Sequence, residues 1–409
     1  MSTTATAKKP GADEGTESIG ASIRAVFTTN IRQSGIFIAF VAIVLLFTWL
    51  TEGTLLTGQN VTNIILQYSY ILVLAIGMVI VIIGGHIDLS VGSVVAFAGA
   101  VSAVLVIKQG MPWWVGVIAA IAVGILVGAW QGFWVAFVGI PAFITTLAGM
   151  LMFRGATYLT LENISLSPFP KEYTQIGTGF QNGLLGGNGF DVFTIVVFAI
   201  AVAAYIFTQF RGRAAAIRYN QHVSAMPLFI VKLVVVAAVV MWLSWLLANN
   251  RGLPNVLIIL TVLVIVYTLV TTRTVFGRNV YAIGGNLTAA TLSGVKVKWV
   301  NFGIMLNMGF LAGVAGVLFG ARSNGAQPGA GNMFELDAIA ASFIGGAAVT
   351  GGVGKVTGAI VGGLIMATMT NGMQLLGYDQ YLQNIVKGLV LLLAVAFDVY
   401  NKRRAGASR

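Results

Sequence analysis

The 409-residue chain has no cysteine, two histidines and only 12 acidic residues. Without cysteine there are no disulfides, no thiolate metal sites and no thiol catalysis, and the absence says nothing about compartment. The histidines, His86 and His222, are far apart. Clustered histidine ligation is therefore excluded, and no Ser/His or Ser/Lys pair on facing helices is evident for an enzyme reading. Charge of any kind is scarce. Charged residues make up 9% of the chain and apolar ones 57%, whereas soluble domains run near about 25% charged. Too little polar surface remains to face water all round, so the chain belongs in a membrane.

What is abundant fits that setting. Fifty-one glycines suit helices that pack closely through small side chains. The net charge of +11 reflects basic residues flanking membrane spans rather than a nucleic-acid partner. A span needs roughly 20 apolar residues to cross about 30 Å of hydrocarbon. The pattern predicts an all-α polytopic membrane protein with about 12 transmembrane segments. They run near residues 35–50, 61–83, 89–107, 113–138, 141–161, 191–210, 227–248, 254–272, 299–320, 336–350, 353–376 and 380–400. The third and tenth start at an Asp in Gly-rich or polar sequence. Residues 1–30 read as a disordered cytoplasmic N-terminus, with no secretory signal. Residues 31–400 read as the transmembrane domain and 401–409 as a basic cytoplasmic tail.

The basic residues orient this arrangement. With both termini cytoplasmic, 16 of the 23 Lys and Arg fall on the cytoplasmic side and four on the other. Arg154, Lys232 and Lys387 fall inside or near spans, where long side chains can snorkel. The bias is what the positive-inside rule demands.

Three stretches carry chemistry. The loop Arg273–Lys298 is basic, broken by Gly284-Gly285-Asn286 and followed by a short Ala/Leu-rich patch. A nearly uncharged membrane chain with one structured basic loop points to a transport subunit worked by something that docks there. The run Gly84–Ser93 breaks two apolar stretches. Asp88 or Ser90 is expected to cap the next helix, and such breaks often border a transport path. Glu335, Asp337 and the glycines after them repeat the arrangement, on the outer side by span count where Asp88 is on the inner. Asp88, Ser90, Gly92, Glu335 and Asp337 are thus candidates for a helix break or translocation path. The run Gly351–Thr357 resembles a phosphate loop but has Val356 after Lys355 and lacks the first Gly. The chain is expected to bind no cofactor or metal and to have no ATP site. An ion-coupled secondary carrier is the alternative.

The runs GGHIDLSVGS, IPAFITTLAGMLMFRG, FGRNVYAIGGNLTAATLSGV, ELDAIAASFIGGAAVTGGVG and NGMQLL together resemble the monosaccharide ABC-transporter permeases of the ribose/galactose/xylose type. The blocks fall in family order from about residue 35 to 400. Extra material between about Asp191 and Asn255 provides two spans beyond a ten-span core, as in the xylose or multiple-monosaccharide branch. The resemblance implies a homodimer in a bacterial inner membrane. It also implies a cytoplasmic ABC ATPase that uses ATP and magnesium, a periplasmic sugar-binding protein and contact with membrane lipid. Residues Tyr281–Val295 would supply the coupling helix. Tyr281 opens that loop, Gly284, Gly285 and Asn286 match the family's turn, and Ala289, Ala290, Leu292, Ser293 and Gly294 match its helix. Thr291 departs from the family's usual Arg.

Overall fold

A computed structural model describes residues 31–187, 189–219, 221, 223 and 225–406. Among them, nine helices are long and apolar enough to cross a membrane. In chain order the helices are α1 (Ile31–Leu50), α2 (Gly58–Ile83), α3 (Val91–Ala103), α4 (Trp113–Phe133), α5 (Ala142–Thr160), α6 (Lys171–Thr178), α7 (Val192–Arg218) and α8 (Met226–Ala248). They continue with α9 (Asn255–Arg273), α10 (Val275–Gly285), α11 (Leu287–Leu292), α12 (Val297–Ser323), α13 (Phe334–Ile344), α14 (Val356–Leu375) and α15 (Gln380–Gly406). The two strands are β1 (Phe180–Gln181) and β2 (Leu253–Pro254), paired antiparallel.

The chain forms two compact units. The first contains residues 182–252 and is the hairpin of α7 and α8, the two extra segments. The loop leading into α7 is organised by Asp191, whose carboxylate accepts from the Gly183 N–H at 2.9 Å and the Thr194 N–H at 3.0 Å. The second bond caps α7 in the usual Asp manner. Both helices expose apolar side chains, among them Ile200, Phe207, Val234 and Val239.

The second unit, residues 35–181 and 253–406, is built around α2, which is buried from Ile71 to Ile83. Thr57 caps it by accepting from the Asn60 N–H. Helices α9, α12, α13 and α14 pack against it, while α3 lies between α4, α5 and α12. One close crossing is α4 on α12. Gly124 and Gly128 share one face of α4, Gly309 and Gly313 one face of α12, and a Cβ on Gly124 would fall 2.3 Å from the Gly309 carbonyl oxygen. The i, i+4 spacing places each pair on one helix face, and the absence of side chains lets the backbones touch.

Nine of the twelve predicted spans are found among the described residues; the first and twelfth correspond to shorter apolar stretches, Gly35–Leu50 and Gln380–Ala396, and the tenth differs. The third is α3 continued by a π turn, Val104–Lys108, with the N-terminus at Val91. The tenth is α13, with only 11 residues, about 16 Å long against about 30 Å of hydrocarbon. It stops because Gly345 and Gly346 turn the chain, Gly346 with φ +90°.

Candidate functional site

Asp88 and Ser90 do not cap α3 as expected. Ser90 is the N-cap residue but makes no capping bond. Asp88 Oδ1 accepts instead from the Ser90 N–H at 2.8 Å and the Ser90 hydroxyl at 2.7 Å. Gln131 Nε2 on α4 donates to Ser90 Oγ at 2.6 Å. One carboxylate oxygen, Oδ1, thus fixes the break itself, and Asp88 and Ser90 are 2% and 0% exposed. The reason is geometric: the chain is in α conformation at Ser90, with ψ −13°, not the extended one a cap needs.

Neither Glu335 nor Asp337 caps α13. The N-cap is Met333 at φ +65°, with no side-chain bond. Asp337 turns outward from the first turn to Lys387 on α15, at 3.0 Å. Lys387, one of the three basic residues inside or near spans, is thus ion-paired. Glu335 is 8% exposed, and its Oε2 has no hydrogen-bond partner.

The two breaks were expected on opposite faces, but they meet. A Cβ on Gly92 would lie 2.1 Å from the Gly331 carbonyl oxygen and 2.4 Å from Glu335 Oε2. A Cβ on Gly331 would lie 1.9 Å from the Gly92 carbonyl oxygen. Arg154 on α5 donates to the neighbouring Ala330 carbonyl. The start of α3 therefore abuts the chain that leads into α13 and the first turn of α13. Gly92 is required there because any side chain would fill the contact.

The basic loop is two helices. Thr274 caps α10 by accepting from the Gly277 N–H at 3.1 Å. Asn286 ends α10 and caps α11, accepting from the Ala289 N–H at 2.9 Å, so the Gly-Gly-Asn break is a helix-to-helix turn. Its residues divide into two sets. Tyr281 faces inward, its hydroxyl donating to the Gly354 carbonyl at 2.7 Å. Gly284 packs on the end of α2, and Ala290 is buried. Gly285, Asn286, Ala289, Ser293 and Gly294 are exposed, Gly294 with φ +83°. Leu287 and Leu292 stand out as apolar knobs, Leu292 85% exposed. Thr291 turns its hydroxyl back to the Leu287 carbonyl at 2.8 Å.

The family model for the branched-chain amino acid transport system permease component matches residues 60–395. The chain belongs to that permease family. It is 40% identical over 376 residues to the xylose transport system permease protein XylH of Escherichia coli (strain K12), covering 92% of this chain and 94% of that one. XylH of Haemophilus influenzae is 39% identical over 377 residues, covering 92% and 98%. The ribose import permease protein RbsC of Escherichia coli (strain K12) is 34% identical over 348 residues, covering 85% and 87%. No solved structure matches.

The permease also contains site residues that sequence reasoning missed. Asn60 at the start of α2 and Asn371 near the end of α14 are buried and bond reciprocally, at 2.8 and 3.1 Å. Asn371 lies in the NGMQLL run, but nothing in the sequence pairs it with a residue 311 positions away. Asn371→Leu should destabilise by about 1–2 kcal/mol, because the buried Asn60 Oδ1 loses its donor while Nδ2 keeps only the Leu55 carbonyl. The double replacement Asn60→Leu/Asn371→Leu should recover part of that loss, and thermal unfolding in detergent measures both. Outside the spans, Lys108 donates to Glu162 at 2.8 Å and holds that carboxyl below its ordinary value. Both side chains are exposed, so solvent screens the pair.

Proposed function

We propose that the permease is the membrane-spanning subunit of an ABC importer for a monosaccharide, xylose or a close relative, in a bacterial inner membrane. Two copies enclose the path. A separate cytoplasmic ATPase binds ATP and magnesium and docks on α10 and α11, and a periplasmic sugar-binding protein delivers the sugar. Lipid covers the apolar flanks. Twelve segments cross or enter the bilayer with both termini cytoplasmic, and α13 with residues 345–354 takes the place of one span. Residues 31–400 are the permease domain. The basic tail, 401–409, continues α15 as far as Gly406, and residues 1–30 lie outside the described residues. The junction set by Asp88, Ser90, Gly92, Glu335 and Asp337 borders the path and changes as access alternates.

The observation that carries this reading is the 40% identity to a xylose permease over 92% of the chain. The exposed knobs on α11 support the docking, since apolar anchors dominate binding energy when they enter a partner's pocket. The lack of an ATP site is supported at residues 351–354. Gly352 is packed so tightly on Gly285 that a Cβ would lie 2.7 Å from its Cα, which leaves no cradle for a phosphate.

The test is reconstitution of the permease with its ATPase and binding protein in vesicles. Leu287→Asp/Leu292→Asp should weaken ATPase capture by at least about tenfold and abolish ATP-driven uptake, without lowering the melting temperature, since both side chains are exposed. Uptake by the permease alone that collapses with an uncoupler would sink the reading.

A further inference from the structure

Three segments remote in the sequence meet backbone to backbone. They are the end of α2 at Ile83–Gly85, the end of α10 at Gly284–Gly285, and the turn Gly351–Gly352 between α13 and α14. The Gly352 N–H donates to the Ile83 carbonyl at 2.8 Å. A Cβ on Gly284 would lie 1.7 Å from that same oxygen and 2.6 Å from Gly352 N. A Cβ on Gly351 would lie 3.1 Å from Gly85 Cα. Gly85, Gly351 and Gly352 have φ of +82°, +80° and +72°, which glycine adopts without the steric penalty of a Cβ. One side chain closes the arrangement: Tyr281, through its bond to the Gly354 carbonyl.

This contact differs from the crossing of α4 and α12. There the glycines sit inside uninterrupted helices, and close packing explains them fully. Here helices end. The segment after Gly85 leads to Asp88, Ser90 and the start of α3. Gly285 adjoins Asn286 and the knobbed helix α11. Residues 351–354 connect α13 to α14. The starts of α3 and α13 in turn touch at Gly92 and Gly331. A displacement of α11 therefore has a continuous backbone route to both broken helices. Backbone in van der Waals contact has no rotamers with which to absorb that displacement.

We infer that this glycine joint transmits motion of the docking loop to both broken helices, and that Tyr281 is a positioning residue that locks residues 351–354 to α10. The inference rests on the reading of α10 and α11 as the ATPase docking loop, and its test separates the two. Gly284→Ala places a carbon against backbone oxygen and would confuse transmission with folding. Tyr281→Phe removes only the hydroxyl.

The full complex is reconstituted in vesicles, and three quantities are read: ATPase captured, melting temperature, and sugar transported per ATP hydrolysed. Tyr281→Phe should lower sugar per ATP at least fivefold, an effect on coupling set against about tenfold for a typical lost anchor, with capture and melting temperature near those of the unsubstituted permease. Leu292→Asp should do the reverse and lose capture. An unchanged ratio for Tyr281→Phe overturns the inference. Loss of ATPase capture by Tyr281→Phe also overturns it, because Tyr281 would then be a docking residue. Failure of the unsubstituted permease to capture an ATPase overturns the functional reading and the inference with it.

Discussion

Lys387→Met will destabilise the permease by about 1–3 kcal/mol, below the roughly 3–5 kcal/mol of a fully buried ion pair because this pair is only partly buried. Lys387 Nζ lies 3.0 and 3.2 Å from the two carboxylate oxygens of Asp337, and the side chains are 20% and 17% exposed. Without the lysine a carboxylate is left among Leu336, Ala340, Met366 and Leu391, which line the same cleft. The pair itself need not stabilise the fold relative to an apolar replacement, because two charges had to leave water to form it. Asp337→Leu/Lys387→Met should therefore recover most of the loss. Thermal unfolding in detergent of the two single variants and the double checks this. Equal losses for the single and the double variant would mean that the pair contributes through packing of the lysine stem and not through charge. The pair has a structural consequence as well. It ties the short helix α13, which cannot span by itself, to α15, and so fixes one side of the junction at Gly92 and Gly331.

The spans were legible because they rest on a local property, the length of an apolar run. The prediction at residues 113–138 matches α4 with its terminal π turn to the residue, and the extra hairpin at residues 191–248 was visible as added length. The Gly-Gly-Asn turn was legible for a similar reason, since a helix end and an Asn cap are encoded within a few residues. The partnerships were not. Asp337 reads as a first-turn acid, and only the fold shows that Lys387, 50 residues on, is within reach. Asp88 reads as a cap because the type and position are right, but the backbone at Ser90 is already helical and the carboxylate bonds only to Ser90, two residues on, before the helix begins. Counting spans put the two breaks on opposite faces. It assumes that the two breaks stay apart, whereas Gly92 and Gly331 lie backbone to backbone. The glycine joint was least legible. Glycines are frequent throughout this chain, and nothing local distinguishes Gly284, which touches two other backbones, from Gly155, which touches nothing.

That contrast gives the last prediction. Gly309→Ala adds one carbon, the smallest side chain there is, and will destabilise by about 3 kcal/mol, the upper end of ordinary overpacking. The added Cβ would lie 2.2 Å from the Gly124 carbonyl oxygen and 2.7 Å from Gly128 Cα. Both are backbone of α4, so no rotamer change relieves the clash and the two helices must separate. Separation also opens the neighbouring contact, where a Cβ on Gly313 would lie 2.8 Å from the Ala120 carbonyl. The matched control is Gly155→Ala on α5, where nothing lies within 4 Å of the new carbon. There alanine should stabilise by up to about 1 kcal/mol, because it gives up less conformational freedom than glycine in a helix. The two changes are chemically identical and opposite in sign, so melting temperatures measured side by side test whether approach of α4 to α12, rather than helix propensity, sets the stability of the bundle. A Gly309→Ala protein as stable as the Gly155→Ala one would show that the two helices are not in backbone contact. The packing around α12, on which the placement of both broken helices depends, would then have to be redrawn.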